Sequence, residues 1–545
     1  MPPVWKDAHM NLRAISLVAL PVIALLILHG CGPSGEGVSQ GDADGLVTVR
    51  RGNGGEPESL DPALAEAVQE FSLLGDLYEG LLARDAAGTI ITGAAESWTV
   101  SSDGLTYTFR LRRDARWSDG TPVAAKHFVA GMRRTLSPEA GSAFATLLYP
   151  IENAEAVAQG SLPATALGIT APDDMTLVIR LHAPAAYLPW LLTMPIAFPF
   201  IDDGGDGHGR FSDPARFIGN GPFLLAEWEP GSHVRLRRNP EFREASDVAI
   251  DEVIYYSISE PITEVNMYRA GELDITFGVP GSHLARLMET HAGELRIAPY
   301  LAVYYLAFDL SEAPFDNRAL RQALSMAIDR EVLVSILGRG EQPAYGLIPD
   351  GLADYTPARA AWRSLPADER LERARELYAA AGYSDELPLR VTLLHDAADI
   401  HETIALAVSE MWRKTLGVDV RLDKREWKYF LSTRKNRDDW EVMRFSWTGD
   451  FDHPATFADT FRSTSPQNLP GYASERFDQL LSEAEATVAP DEQMRLYAAA
   501  EAVLLEDAPI APLYFYVSEH LVSPAISGYE DNVFDRHPSR YLQKR

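Results

Sequence analysis

Alternation of apolar and polar side chains marks the strands predicted in the first half of the chain. Three segments combine such a stretch with a following turn: 106–122, 176–184 and 232–240. In the first of them, Tyr107, Phe109 and Leu111 face one side and polar side chains face the other, which predicts a half-buried strand. Two helices are also expected in this half: about 121–136 and 262–271.

Helical spacing dominates the second half. Apolar side chains recur every three or four residues in three segments: 317–337, 367–382 and 400–417. Two predicted strands flank the last of these helices: 389–396 and 418–427. A strand, a helix and a strand in succession predict a βαβ crossover, so the fold class is α/β with an open sheet. Such sheets bind ligands beyond the carboxyl ends of their strands, which is where 426–430 and 444–450 are expected.

Length and charge restrict the possible classes of protein. A chain of 545 residues exceeds what one hydrophobic core usually serves, which predicts two or three lobes. The net charge of −29 argues against a nucleic-acid partner and against a polybasic membrane patch. No fixed-period repeat is visible, which argues against a solenoid or a propeller.

The start of the chain has the pattern of an export signal. A basic beginning precedes the apolar segment 14–28, which is too short to span a bilayer. The segment leads into Cys31, the only cysteine, through Leu-His-Gly, which resembles a bacterial lipobox although His29 departs from its pattern. We expect 1–30 to be a signal peptide and 31–46 a tether lipidated on Cys31. The alternative is a buried free cysteine.

Motifs of catalysis are missing from the sequence. No nucleophile elbow and no phosphate-binding loop occurs, and His401-Glu402 begins a zinc motif that fails because Ala405 stands where its second histidine belongs. The histidines show no spacing typical of metal ligands. The sequence therefore predicts a protein that is not an enzyme and has no metal or cofactor. A lipid-anchored hydrolase remains the alternative from a different class.

Several ordered motifs carry a resemblance to a known family. They are 58–62, 77–82, 95–123, 217–223, 269–276, 314–330 and 343–346. Over nearly all of 46–545 the chain resembles the large solute-binding lipoproteins of bacterial ABC importers, in the peptide and nickel class. The segments 426–434 and 443–454 are most similar to the oligopeptide-binding members. Murein peptides, nickel complexes or another small solute remain alternative cargoes.

The resemblance implies an architecture and partners. The periplasmic-binding-protein fold has two lobes and three domains around a ligand cleft. Here the implied domains are I (47–78, 204–301 and 518–545), II (79–203) and III (302–517). The implied partners are an oligopeptide and an ABC permease with its ATPase subunits. We expect a monomer in the periplasm or cell envelope, held at a bacterial membrane by lipid on Cys31.

The resemblance also implies how a peptide would be held by its charged ends. Asp450 matches the position that pairs with the peptide amine, Arg444 the one that binds the carboxylate of shorter peptides, and His401 the one used by a longer peptide. Arg444 and Asp450 would share a face if the chain between them were extended. The alternatives are a turn cap for Asp450, a surface salt bridge for Arg444 and a solvent-facing position for His401.

Further positions match peptide contacts or lie near the peptide's path in the family. They are Glu66, Phe144, Tyr304, Tyr305, Trp427, Arg434, Trp447, Gly449 and Tyr516. The aromatic members could equally belong to the core. The family's lysine for the shortest peptides has no match, and its cysteine pair near the cleft is replaced by Ala302 and Thr448.

Overall fold

The computed structural model describes residues 45–201, 210–436 and 440–545. The predicted signal peptide, most of the tether and Cys31 lie outside the described residues. Within the described ranges, no helix has the length and apolar character needed to span a membrane.

Eighteen strands occur in the described residues. In chain order they are β1 (Thr48–Gly52), β2 (Leu82–Arg84), β3 (Ile90–Thr92), β4 (Ala95–Val100), β5 (Thr106–Leu111), β6 (Ile169–Asp173), β7 (Thr176–Arg180), β8 (Phe223–Glu229), β9 (His233–Arg238), β10 (Glu252–Tyr256), β11 (Leu295–Phe308), β12 (Gln342–Pro343), β13 (Arg390–Asp396), β14 (Asp419–Arg425), β15 (Val442–Thr448), β16 (Ile510–Leu521), β17 (Ile526–Ser527) and β18 (Gln543–Lys544).

Fourteen α-helices accompany them in the same described ranges. They are α1 (Val68–Leu77), α2 (Ala125–Thr135), α3 (Ala154–Ala158), α4 (Leu188–Leu191), α5 (Pro261–Arg269), α6 (Gly281–Thr290), α7 (Arg318–Met326), α8 (Arg330–Leu337), α9 (Ala367–Ala380), α10 (Asp399–Leu416), α11 (Trp427–Asn436), α12 (Ala455–Ala458), α13 (Glu475–Ala486) and α14 (Pro490–Asp507).

Three larger sheets organise the described chain. Two have four strands, in the orders β1-β10-β9-β8 and β4-β5-β7-β6, and one has six, in the order β12-β16-β11-β15-β13-β14. The alternation predicted in β5 is confirmed, because Tyr107, Phe109 and Leu111 are buried. Apolar residues on one face of the strand thus attach it to the core.

The predicted βαβ crossover is confirmed by β13, α10 and β14. The two strands pair in parallel, and β13 also pairs in parallel with β15. One continuous helix over 317–337 was expected, and that expectation is wrong. The chain forms α7 and α8 instead, because the Asp329 carboxylate accepts a hydrogen bond from the Val332 N–H and starts a new helix.

Two long strands, β11 and β16, connect parts of the chain that were predicted to be separate domains. The predicted boundaries at 301/302 and 517/518 fall inside them. Their pairing changes register between Pro299 and Val303, where three residues of β11 face a single residue of β16. Such a bulge bends a strand and increases its twist, so it marks a change of direction between the two ends of this ladder.

The two faces of the six-stranded sheet belong to different cores. In β11, Tyr304, Leu306 and Phe308 pack in a core with α7, α9 and α10. Val303 and Tyr305 face the other way, into the largest core of the described residues. Because successive side chains of a strand point to opposite faces, both tyrosines are buried, each on its own side of the sheet.

Candidate functional site

The carboxyl ends of three parallel strands meet at one edge of the six-stranded sheet. β13 ends at Asp396, β14 leads into α11 at Trp427, and β15 leads into Gly449 and Asp450. This is the edge at which an open α/β sheet is expected to bind a ligand. Both sequence segments singled out for this edge are located there.

Asp450 lies just beyond the end of β15 and is largely buried. Its backbone N–H donates to Thr456 Oγ1 at 2.9 Å. Among the described residues its carboxylate has no hydrogen-bond donor and no cationic partner, and burial raises its pKa to about 6. A buried carboxylate normally has a partner. Asp450 therefore has the properties expected of a site for a cationic group of a ligand.

The backbone around Asp450 leaves little freedom. The Gly449 N–H donates to the Leu301 carbonyl at 2.8 Å, and a Cβ on Gly449 would lie 2.6 Å from Leu301 Cδ2. Trp447 is half-buried, and its indole N–H donates to the Thr456 carbonyl at 2.6 Å. Thr456 thus holds both Trp447 and Asp450. The strand that contains Arg444 ends at Thr448, two residues before Asp450. The side chains of Arg444 and Asp450 therefore do not share a strand face, as they would if the chain between them were fully extended.

Arg444 lies inside the protein, in an ion pair with Asp396. Only 7% of Arg444 is exposed, so the alternative of a surface salt bridge is wrong. Asp396 also accepts from His401, with 2.8 Å between His401 Nδ1 and Oδ2. Burial alone would raise the pKa of Asp396, but the Ala398 N–H, His401 and Arg444 together lower it. The carboxylate is therefore held in its ionised form.

His401 begins α10 beside this ion pair and is partly buried. Burial and then the Arg444 charge lower its pKa, so the imidazole is neutral at pH 7. With Nδ1–H donated to Asp396, Nε2 is an acceptor and suits a ligand donor better than a carboxylate. The alternative of a solvent-facing histidine does not describe this position.

Arg434, on α11, is the cation at this edge that lacks a carboxylate partner in the described part of the chain. Its guanidinium lies 4.1 Å from the Phe445 ring centroid. Burial lowers its pKa, and the nearby Arg444 charge acts in the same direction. Arg434 is therefore better placed than Arg444 to receive an additional anion.

The aromatic candidates divide into core residues and accessible ones. Tyr304 stacks on Tyr514 at 4.9 Å, and Tyr305 packs against Phe445, so both contribute to the cores. Tyr516 remains partly accessible opposite the register change. Trp427 is 49% exposed and lies over Phe430 and the Arg444 guanidinium, at 5.9 and 5.6 Å.

Glu66 and Phe144 belong to a different part of the described structure. Glu66 is exposed just before α1, and Phe144 packs against Phe71 of α1 at 5.7 Å. No described contact joins either residue to Asp450 or Arg444. A ligand that touched all four would have to bridge α1 and the edge of the six-stranded sheet.

Two residues of the site were missed in the sequence. Asp396 neutralises Arg444 and orients His401, and Thr456 anchors the turn that carries Asp450. The position of Asp396 at the end of a predicted strand was an available signal. Thr456 gave none, because its role depends on a turn that sequence spacing does not reveal.

A buried histidine cluster was also missed. Asp535 lies 2.7 Å from His520 Nε2 and 3.0 Å from His537 Nε2, in one of two described groups whose ligand atoms could surround a metal ion. Burial would lower the pKa of His520, but Asp535 raises it to about 9. The pair is thus ionised at pH 7 without a metal, and it ties the last residues of the chain to β16.

The carboxylate of Asp450, without a partner among the described residues, lies at the edge where an α/β sheet binds ligands. The family model of the bacterial extracellular solute-binding proteins, family 5 (middle part), matches residues 89–468. The chain belongs to this family, and the α/β two-lobed fold expected from its sequence is confirmed.

Two curated relatives illustrate the similarity. The chain is 35% identical over 537 residues to the periplasmic oligopeptide-binding protein OppA of Salmonella typhimurium, covering 96% of this chain and 98% of the relative. It is 35% identical over 483 residues to the periplasmic murein peptide-binding protein MppA of Escherichia coli, covering 88% and 89%.

Solved structures show the same fold. The unliganded open form of the murein tripeptide-binding protein MppA has a TM-score of 0.84 at 34% identity, covering 92% of this chain and 98% of that one. Haemophilus influenzae OppA in complex with the peptide RPPGFSPFR has a TM-score of 0.74 at 32% identity, covering 92% and 99%. The described structure thus superposes better on the open form than on this complex.

Proposed function

We propose that this chain is the extracytoplasmic peptide-binding component of an ABC importer. It encloses short oligopeptides between its lobes and delivers them to a membrane permease that works with ATPase subunits. The observation that carries this proposal is the largely buried carboxylate of Asp450, which has no partner among the described residues and suits the ammonium group shared by unmodified peptides. Similarity to relatives named as oligopeptide- and murein-peptide-binding proteins supports this proposal. The role requires no catalytic step.

The peptide carboxylate is assigned to the basic groups beside Asp396. Arg444 already shares its charge with Asp396, so a ligand would bind to its remaining donors rather than to a free cation. Arg434 does not share its charge with a carboxylate in the described residues, so the carboxylate of a peptide could form an ion pair with it. His401 serves a longer peptide only if it becomes protonated, because its neutral Nε2 accepts and does not donate.

Accessible aromatic rings are assigned as walls of the cleft. Trp427, Trp447 and Tyr516 line the side formed by the six-stranded sheet, and Glu66 and Phe144 contribute from the side of α1. Backbone hydrogen bonds in the manner of β-strand addition would read the main chain of a peptide and tolerate different side chains. Water would fill the space that small side chains leave.

The proposed domains follow the sheets except at β11 and β16, which cross the boundaries between domains I and III. Domain I is 47–78, 204–301 and 518–545, domain II is 79–203, and domain III is 302–517. The four-stranded sheets fall in domains I and II, and most of the six-stranded sheet falls in domain III. The register change in β11 and β16 is the place where these strands would bend as the lobes close. We expect the protein to act as a monomer.

A murein peptide is the second candidate cargo. It is favoured by the 35% identity to MppA of Escherichia coli and by the TM-score of 0.84 to the open form of that binding protein. Both cargoes are peptides, so the choice depends on the pocket rather than on the fold.

Native mass spectrometry of the protein as purified tests the proposed function. We expect a spread of bound masses that fit short peptides, because a binder that reads the charged ends tolerates many sequences. Adding a single tripeptide in excess should collapse the spread to one mass. A uniform adduct of non-peptide composition, unchanged by tripeptide, would contradict the proposal.

We also propose that Cys31 attaches the protein to a bacterial membrane through lipid. Cys31→Ser should release the protein into the aqueous phase without unfolding it, because several acyl chains together give stable anchoring and none would remain. Detergent-phase partitioning after growth with labelled palmitate measures this. Label and detergent partitioning that persist in the serine variant would exclude the lipobox.

A further inference from the structure

A cavity of about 80 Å³ lies between α1, β2 and the segment 536–540. Its lining includes the aromatic ring of Phe71 and the side chains of Arg84, Arg536 and Arg540. Its volume is several times that needed by one water molecule. In a chain with a net charge of −29, three arginines and a single acid, Glu79, around one cavity are a local reversal of sign.

Only one of these arginines has a carboxylate partner within the described ranges. Arg540 donates to Glu79 at 3.2 Å, and Glu79 also accepts from Arg243 at 2.8 Å. Glu79 is thus already shared between two cations. Arg84 and Arg536 have no carboxylate at ion-pair distance in the described ranges; burial lowers the pKa of Arg536, and the charges of Tyr300 and Asp535 act against that fall.

Arg84 and Arg536 lie over aromatic rings, and Arg536 also donates to the Val68 carbonyl at 3.5 Å. The Arg84 guanidinium lies over Trp190 and Phe534, at 6.0 and 5.4 Å, and that of Arg536 lies 5.2 Å from Phe71. Neither forms an ion pair in the described part of the chain. Burial lowers the pKa of Arg84, and the Arg536 charge lowers it further. Ring faces attract a guanidinium but cannot neutralise it, so an anion in the cavity would be stabilised by both.

Phe71 and the Arg536 charge connect the cavity with the proposed peptide site. Burial raises the pKa of Tyr300, the Arg536 charge lowers it, and the Asp535 and Asp450 charges raise it. Phe71, on the cavity wall, also contacts Phe144 at 5.7 Å. If a peptide with its amine on Asp450 extends past Phe144, its first side chains approach Phe71 and the arginines of the cavity.

We propose that Arg84 and Arg536 form a pocket for a carboxylate of the bound ligand, supplied by an acidic side chain of the peptide. This inference rests on the proposed function. It adds that the protein prefers peptides that contain glutamate or aspartate. Two guanidinium groups can grip one carboxylate through paired N–H donors, which a neutral amide cannot match.

Titration calorimetry with matched tripeptides tests the pocket. Ala-Ala-Ala, and peptides with glutamate or glutamine at each of the three positions, are compared on the unmutated protein at low salt. At one position we expect glutamate to bind about 10- to 100-fold more tightly than glutamine, the range of a charged hydrogen bond. The double variant Arg84→Gln/Arg536→Gln should bring this ratio close to one, with folding checked by thermal unfolding.

The control variant is Arg180→Gln, which removes an arginine of equal charge from an exposed pair with Glu152. It should keep the preference for glutamate. The pocket is overturned if glutamate has no advantage at any position, or if the advantage survives in the double variant. If sulfate or acetate stabilises the protein but no peptide shows a preference for glutamate, the cavity binds free anions. That result also overturns the proposed pocket. Failure of every tripeptide, Ala-Ala-Ala included, would instead contradict the proposed function.

Discussion

Asp450→Ala is expected to weaken the binding of tripeptides and tetrapeptides with a free amine by about 3–5 kcal/mol, the cost of removing one partner from a buried ion pair. This corresponds to roughly two to four orders of magnitude in Kd. The physical reason is that Asp450 supplies the negative charge that would pair with the peptide amine. Among the described residues, its carboxylate has no partner before a ligand binds.

A double-mutant cycle separates this charge pairing from other effects. Titration calorimetry compares the unmutated protein and Asp450→Ala, each with a free and an N-acetylated tripeptide. Acetylation should weaken binding to the unmutated protein strongly and add little once Asp450 is gone, because both changes remove the same interaction. Equal affinity of free and acetylated peptide for the unmutated protein would contradict the assignment.

The matched control is Asp452→Asn, two residues further along the chain. Burial raises the pKa of Asp452 to about 6 as well, but its carboxylate accepts a hydrogen bond from the Ala353 N–H at 2.9 Å. An asparagine can keep that bond. We expect this variant to bind tripeptides as tightly as the unmutated protein, so loss of binding would be specific to Asp450.

The raised pKa of Asp450 also predicts opposite effects of pH on binding and on stability. An ammonium group binds the ionised carboxylate, so affinity should fall as the pH falls through about 6. A carboxyl whose folded pKa exceeds its unfolded value favours folding at low pH, and this contribution is lost as the pH rises through about 6. Asp450→Asn should therefore stabilise the unliganded protein at pH 8, by about 1–3 kcal/mol. Thermal unfolding without peptide measures this gain.

Asp396→Ala is expected to destabilise the protein by about 3–5 kcal/mol, because it leaves the Arg444 guanidinium buried without a counter-charge. The neutral His401 cannot replace the missing charge. Denaturant unfolding should show a lower midpoint at pH 7. The pKa of Asp396 is lowered in the folded protein, so its contribution is present above the unfolded pKa and lost as the pH falls through the folded value.

A double variant tests whether the loss arises from an uncompensated charge. Asp396→Leu/Arg444→Met removes both partners and should recover most of the lost stability, since apolar replacements of buried ion pairs are often neutral. Glu402→Ala, which removes the exposed partner of Lys424 from α10, serves as the control and should leave the midpoint unchanged. An unchanged midpoint in Asp396→Ala would show that Arg444 needs no partner.

The pattern of apolar and polar residues along the chain was sufficient to predict much of the fold. The alternation in β5 and the succession of β13, α10 and β14 follow from which side chains must be buried, and that requirement is local. The break between α7 and α8 was missed because helical spacing of apolar residues continues across it. The hydrogen bond from the Val332 N–H to Asp329, which starts α8, is a detail of geometry.

The candidate site was only partly predictable, for a reason visible in its arginines. The sequence placed Asp450, Arg444 and Trp427 at strand ends, and it could not say which of their charges would be neutralised. Arg444 is paired with Asp396, 48 positions away, while Arg434 has no carboxylate partner in the described ranges. Pairing depends on which distant strand ends meet at one edge of the sheet, and only the tertiary structure decides that.

The sequence by itself determined the class of fold, the acidity of the chain and the residue types available for binding. The tertiary structure decided that Tyr304 and Tyr305 are buried on opposite faces of a sheet and that Asp450 has no partner in the described residues. It also brought Arg84 and Arg536, 452 positions apart, to one cavity. The local pattern of apolar and polar residues indicates which side chains are buried, because burial depends on the character of each side chain. Charge compensation depends on pairs of groups that only the folded chain brings together.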